Sequence, residues 1–144
     1  MAGTPYTIEA WVMPAADVGS GGIVGWGEYG TTNSVNALRF SGGPQNLINY
    51  WWDNDLVVTL SSSLADGEYH HVAVTWDGTT RRMFVDFVEV GEAASSGYGA
   101  TSKANFCVGK TFSSEYFSGK IRDLKIWKVA RTLQQMQARS PTPQ

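Results

Sequence analysis

Residues 66–78 read Asp-Gly-Glu-Tyr-His-His-Val-Ala-Val-Thr-Trp-Asp-Gly, a run rich in β-branched and aromatic residues enclosed by two turn signals. In an extended chain successive side chains point to opposite faces, so Val72, Val74 and Trp76 share one face and form a core stripe. Asp77-Gly78 supplies the conformation a hairpin turn requires. By the same alternation His70 and His71 face opposite sides, so they do not chelate one ion together.

Working outward, residues 6–13 repeat the pattern, with Ile8, Ala10 and Val12 on one face and Thr7, Glu9, Trp11 and Met13 on the other, up to Pro14. Further strand-like runs cover residues 22–26, 36–41, 46–52, 56–60, 81–86, 106–109 and 117–127. Gly- and Asp-rich turn clusters separate many of them, as at 19–22, 41–44 and 53–55. Short strands at this spacing, with no alternation of strand and helix, predict an all-β, two-sheet antiparallel jelly-roll sandwich. Only the end of the chain reads as helix. Thr132 is placed to cap a short helix over residues 133–139, with Leu133 and Met136 on one face, before Pro141 and Pro143 stop it.

A chain of 144 residues with 42% hydrophobic and 17% charged residues suits one hydrophobic core, so a single domain is expected over residues 1–140, followed by a frayed tail at 141–144. The net charge of −2 divides unevenly: residues 1–70 carry Arg39 against seven acids, and residues 71–144 sum to +4. The later cations are interleaved with Glu115, Asp123 and apolar residues, a solvated face and not a phosphate-binding stripe, so no nucleic acid partner is expected. Cys107 is alone and forms no internal disulfide; within Phe106-Cys107-Val108 it reads as a core filler. No apolar run approaches bilayer length, and Ala-Gly-Thr-Pro after Met1 does not begin a signal peptide, so membrane insertion is not expected.

Three segments in order resemble the laminin G-like, pentraxin-related branch of the concanavalin A-like lectin/glucanase superfamily. They are residues 6–14 (YTIEAWVMP), 66–78 (DGEYHHVAVTWDG) and 119–132 (GKIRDLKIWKVART), joined by Met83–Asp86 (MFVD). The resemblance implies a concanavalin A-like sandwich, an extracellular setting, and binding of a glycan, a glycoprotein or another protein. The chain departs from the pattern in three ways. The family's initial Phe-Asp-Gly strand and its final strand are missing, which predicts open sheet edges and homo-oligomerisation. Asp86-Phe87 stands where the family has Asp-Gly, so Phe87 is either a contact residue or the mark of a differently built turn. The family's paired acids are Arg122-Asp123 here, and the pentraxin-like acidic cluster is absent, so calcium is not carried over and no cofactor is expected.

Nothing in the chain reads as catalytic. The glucanases of the wider superfamily place their carboxylates in a Glu-x-Asp-x-x-Glu strand, which is absent. Glu89 and Glu92 are three apart, and in a regular strand they would face opposite sides. The remaining signal is aromatic rings beside polar turns, the chemistry that packs on a sugar's C–H face and bonds its hydroxyls. The first candidate stretch is 49–55, with Asn49, Trp51, Trp52, Asp53 and Asn54, in which one of the two tryptophans is core and the other displayed. The second comprises Trp26, Glu28 and Tyr29, with Arg39 on the next strand. Tyr98, Phe112 and Tyr116 are secondary candidates. These rings equally suit the space between two sheets. The expected function is a non-enzymatic, lectin-like carbohydrate-binding module; the alternative is a protein-binding, adhesive or self-assembling module.

Overall fold

The computed structural model describes residues 3–100, 105–138 and 143. Its strands are β1 (Tyr6–Pro14), β2 (Gly22–Gly27), β3 (Val35–Phe40), β4 (Asn46–Tyr50), β5 (Asp55–Thr59), β6 (His70–Trp76), β7 (Thr80–Val85), β8 (Val88–Ala94), β9 (Cys107–Val108), β10 (Lys110–Thr111), β11 (Glu115–Tyr116) and β12 (Gly119–Trp127), followed by helix α1 (Leu133–Ala138). One antiparallel sheet runs β12-β1-β6-β7-β8, the other β5-β4-β3-β2-β9, and β10-β11 is a separate hairpin. Between the sheets lie Ile8, Ala10 and Val12 of β1, Val72, Val74 and Trp76 of β6, and Leu38, Phe40 and Leu47 of the opposing sheet. The period-two stripes thus meet face to face, as in a sandwich.

Beyond the β10-β11 hairpin, which falls between the expected runs at 106–109 and 117–127, β8 and the run at 46–52 differ from the sequence expectation. β8 lacks clean alternation because it carries an extra residue: Met83 pairs with Gly91 but Phe84 with Glu89. This bulge brings Glu89 and Glu92 to the same side, each 3.4 Å from Arg82 Nε, and not to opposite faces. The run at 46–52 stops at Tyr50, because Trp52 (φ 74°) and Asp53 (φ 54°) turn the chain back toward β5. The tail positions 139–142 and 144 lie outside the described residues.

Asp86 (φ 51°) and Phe87 (φ 65°) form a two-residue turn of the mirror-image kind that matches strand twist. Phe87 tolerates a conformation that favours glycine because its ring stacks on His71 at 4.3 Å and 15° and meets Trp11 edge-on. Phe87 is therefore a packing residue of a turn built on side-chain contacts.

The three sequence motifs converge on one buried carboxylate. Glu9, 1% exposed, accepts hydrogen bonds from Trp127 Nε1 (2.8 Å) and Arg131 Nη1 (2.7 Å), and His71 Nε2 lies 3.0 Å from its other oxygen. The backbone N–H of Arg131 donates to Thr7 Oγ1, which ties the chain after β12 down over β1. Thr132 and Gln135 then exchange side-chain and backbone bonds as a capping box, and α1 lays the fully buried Met136 against Ala73 and Phe84.

His70 points away from His71 and bridges Asp86 (2.7 Å) and Asp66 (2.9 Å). Burial opposes its charge, but the bonds to the two aspartates outweigh that and raise its pKa above the ordinary histidine value. A raised folded pKa means the stabilisation is complete below the unfolded value near 6.5 and is lost as pH rises through the folded value. The melting-temperature difference between the protein and its His70→Asn variant should therefore be larger at about pH 5.5 than at about pH 9. A pH-independent difference would contradict the bridge.

Candidate functional site

The outward face of the β5-β4-β3-β2-β9 sheet carries a second, smaller cluster of Val35, Ala37, Ile48 and Tyr50, with Tyr29 and Trp52 packed on it. The β10-β11 hairpin lies across this face. Two glycines of β2 permit the approach: at Gly22 a Cβ would overlap Thr111, and at Gly25 it would sit 2.6 Å from the Tyr29 hydroxyl and 2.8 Å from Thr111. The hairpin delivers Phe112 to Tyr29 (5.4 Å between rings) and Trp52 (5.5 Å), while Tyr29 also meets Tyr50 and Trp52. Four aromatic rings from three separate segments thus form one patch.

Beside that patch opens a cleft of about 320 Å³ lined by Arg39, Tyr50, Trp52, Asp53, Asp55, Phe112 and Glu115. Glu115 organises its floor. It accepts from the Tyr50 hydroxyl (3.0 Å) and Thr111 Oγ1 (2.7 Å), and its second oxygen is 3.5 Å from Arg39 Nε. That contact is a charge pairing without hydrogen-bond geometry, since the buried Nε has no hydrogen-bond partner. The Arg39 guanidinium lies 5.1 Å from the Tyr50 ring centre. Burial, reinforced by Glu115, pushes the Tyr50 hydroxyl well above its ordinary pKa and keeps it a donor. Burial also raises the Asp55 carboxyl, with Arg81 opposing. Three carboxylates against one guanidinium make the cleft favour neutral over acidic ligands.

Trp52 and Asp53 are held in the left-handed region, a strain of roughly 1–3 kcal/mol each for non-glycine residues. The support is Arg81, which has no exposed surface. Its Nη1 donates to the Asn49 carbonyl (2.9 Å), its Nη2 to the Asn54 carbonyl (2.8 Å) and its Nε to Ser95 Oγ (3.1 Å), and its guanidinium lies 4.0 Å from the Trp51 ring centre. Asn54 also donates to Asn33 (2.7 Å), and Asp53 accepts from Thr32 (3.1 Å). The turn presenting Trp52 is clamped from below and from the side.

The structure brings together Tyr29, Arg39, Trp52 and Asp53 of the sequence candidates, with Phe112 beside them. It places Asn49 and Trp51 on the inner side of the sheet with no exposed surface, Asn49 bonded to Tyr6, Asn36 and Arg81, so neither has surface to offer a ligand. Trp26 is likewise a core residue, its ring stacked on Phe106 at 5.6 Å. Alternation along β2 and β4 turns these three inward. Asn54 is a support of the turn, Glu28 lines a neighbouring cleft, Tyr98 is buried against Asn36, and Tyr116 is exposed beside Lys110. Cys107 is not a core filler; β9 is a two-residue edge strand and the thiol is half-exposed.

The candidate stretch 49–55 contains Tyr50 and Asp55 without singling them out, and Glu115 has no place among the candidates. Tyr50 lies two residues from Trp52, a spacing that foretells a shared face; Glu115 has no local signal, being 65 residues from its partner Tyr50. Asp123, the acid that remains of the family's pair, is the bulge residue of β12 with φ 52°. Among the described residues no group of three or more His, Cys, Asp or Glu is placed to hold a metal ion, and no helix is long and apolar enough to cross a membrane.

Residues 1–137 match the laminin G-type family model described as the concanavalin A-like lectin/glucanases superfamily. The chain belongs to this superfamily. Human neuronal pentraxin-2 is 29% identical over 92 residues, covering 64% of this chain and 20% of that protein, so the domain spans about a fifth of the relatives it matches. Among solved structures, the CBM40 domain of the Ruminococcus gnavus IT-sialidase superposes with a TM-score of 0.74 at 12% identity, over 95% of this chain and 83% of that one. Domain 4 of AbnA, a GH43 extracellular arabinanase from Geobacillus stearothermophilus in complex with arabinotriose, superposes at 0.72 and 17% identity, over 95% and 66%. At these identities the superpositions speak for the concanavalin A-like fold.

Proposed function

We propose that this laminin G-like domain is a non-enzymatic, extracellular carbohydrate-binding module that holds a neutral sugar in the Trp52 cleft without a metal ion. The observation that carries the reading is the clamped, strained presentation of Trp52 beside Tyr29 and Phe112, with Arg39, Asp53, Asp55 and Glu115 converging on the same cleft. The rings offer apolar faces to sugar C–H groups, and the charged groups offer donors and acceptors to hydroxyls. Carbohydrate recognition by the similar CBM40 and arabinanase domains supports the same reading.

On a glycan array probed with multivalent protein, with and without calcium, neutral glycans should be retained. Trp52→Ala should weaken binding by about 2 kcal/mol, roughly thirtyfold, in protein that remains folded but melts lower because Trp52 also packs on the outer cluster. A blank array would refute the proposal. Self-association is the second reading, favoured by Val57 on β5 and Val88 on β8, edge strands that touch each other and expose these side chains by 59% and 62%. Under that reading Val57→Asp or Val88→Asp lowers the assembled mass measured by size-exclusion light scattering, and Trp52→Ala leaves glycan retention unchanged.

A further inference from the structure

Phe112 borders two clefts. On its other side is a larger one, about 750 Å³, lined by residues that include Glu28, Tyr29, Asn105, Phe106, Lys110 and Ser113. Phe112 thus lines both clefts, and Tyr29 of the larger cleft packs on it, so the two rings mark where this cleft adjoins the Trp52 cleft. We infer that the ligand is an oligosaccharide whose chain crosses these rings and fills both clefts, so that recognition is of an internal run of sugar units and not of a single terminal sugar. This inference rests on the carbohydrate reading of the Trp52 cleft.

Three features of the second cleft point this way. The first is its exposed aromatic surface. Phe106 and Phe112 are each 47% exposed although both are large apolar rings, and Phe106 is backed by the buried Trp26 at 5.6 Å, which gives it a firm seat. A ring seated from behind and bare in front is suited to stack on a flat apolar partner. Phe112 is also held at φ 51°, an unfavourable conformation for a bulky residue, at the point where the two clefts meet.

The second feature is a fixed amide. Asn105 Nδ2 donates to the Gly27 carbonyl (2.6 Å) and its Oδ1 accepts from the Gly27 N–H (3.1 Å). An amide has two donors and two acceptor positions, so this pairing orients Asn105 and leaves one of each for a hydroxyl. The third is charge. Glu28 and Lys110 oppose each other in sign, so the cleft suits an uncharged polyhydroxylated chain more than a phosphate or an acidic peptide. Trp52 lines one cleft and Phe106 the other, with Phe112 shared between them, so a linked chain of sugars can engage both.

The test is a length series of neutral xylo-, manno-, cello- and arabino-oligosaccharides, from monosaccharide to hexasaccharide, titrated by calorimetry into the whole protein and into Phe106→Ala. Affinity should rise about tenfold or more between disaccharide and tetrasaccharide for the series that binds. Phe106→Ala should weaken the tetrasaccharide about fivefold and leave the monosaccharide within about twofold. To avoid dependence on the variant's folding, amide and indole shifts of the unaltered protein are mapped as well. A monosaccharide should move the Trp52 indole, and a hexasaccharide should move Asn105 and Phe106 in addition. Equal affinity at every length, or hexasaccharide shifts confined to the Trp52 cleft, would overturn the inference while leaving the binding module intact. Absence of binding at every length in every series, together with the blank array, would remove the carbohydrate reading itself.

Discussion

Replacing Arg81 by alanine should lower stability by about 3 kcal/mol, a fall in melting temperature of roughly 10 °C. The change removes the guanidinium from the carbonyls of Asn49 and Asn54 and from Asn49 Oδ1 and Ser95 Oγ, although the Asn54 carbonyl keeps the Trp51 N–H as a donor at 3.3 Å. A buried acceptor without a donor costs roughly 1–3 kcal/mol, and the lost packing on Trp51 adds to it. The opposing effect is that alanine avoids burying a cation, a cost visible in the Arg81 pKa, which burial pushes below its ordinary value. The lost charge-assisted hydrogen bonds and the cavity outweigh this relief because one guanidinium bonds Asn49, Asn54 and Ser95 together. Lysine does not rescue the site, since one ammonium cannot reproduce the fork that spans Asn49 and Asn54. Arg81→Lys should therefore retain a folded sandwich yet weaken glycan binding, because the turn presenting Trp52 loses its clamp. A melting temperature within about 2 °C for Arg81→Ala would show that the clamp is dispensable.

The second large effect concerns Glu9. Glu9→Ala leaves Arg131 and His71 facing a buried vacancy and should cost about 3–5 kcal/mol, a large share of the roughly 5–15 kcal/mol available to a domain. Glu9→Gln should cost less, because the amide oxygen still accepts from Trp127 Nε1. The network is measured by a double-mutant cycle with Arg131→Met, read by denaturant unfolding. Coupling of about 2 kcal/mol is expected; additivity within about 0.5 kcal/mol would mean that the two side chains do not act together. Glu9 lies far from the Trp52 cleft in function as well, being on the outer face of the other sheet. Folded Glu9→Gln protein should accordingly bind glycans like the parent, in contrast with Arg81→Lys.

These two residues also mark where sequence reading succeeded and where it stopped. Glu9, His71 and Arg131 lie in the three segments that suggested the family, and their convergence is the physical content of that resemblance. Arg81 sat in a recognised strand, but period-two alternation reports only which side a residue faces. It does not report that the inner side at that point offers carbonyls to a guanidinium. Similarly, Trp51 and Trp52 were legible as one core ring and one displayed ring, although Trp52 owes its position to a left-handed turn and not to a continuing strand. β8 was missed because its bulge breaks the pattern by which strands are recognised.

The chain by itself determined the sandwich, because alternation, turn residues and the capping signal at Thr132 are local properties whose energetics act over a few residues. It also determined which rings could belong to a site. The tertiary structure alone decided which rings do meet. Glu115 reaches Tyr50, and Phe112 reaches Tyr29, only because the β10-β11 hairpin crosses two glycines of β2. Such a crossing is long-range packing between segments with no shared period, so no local pattern records it.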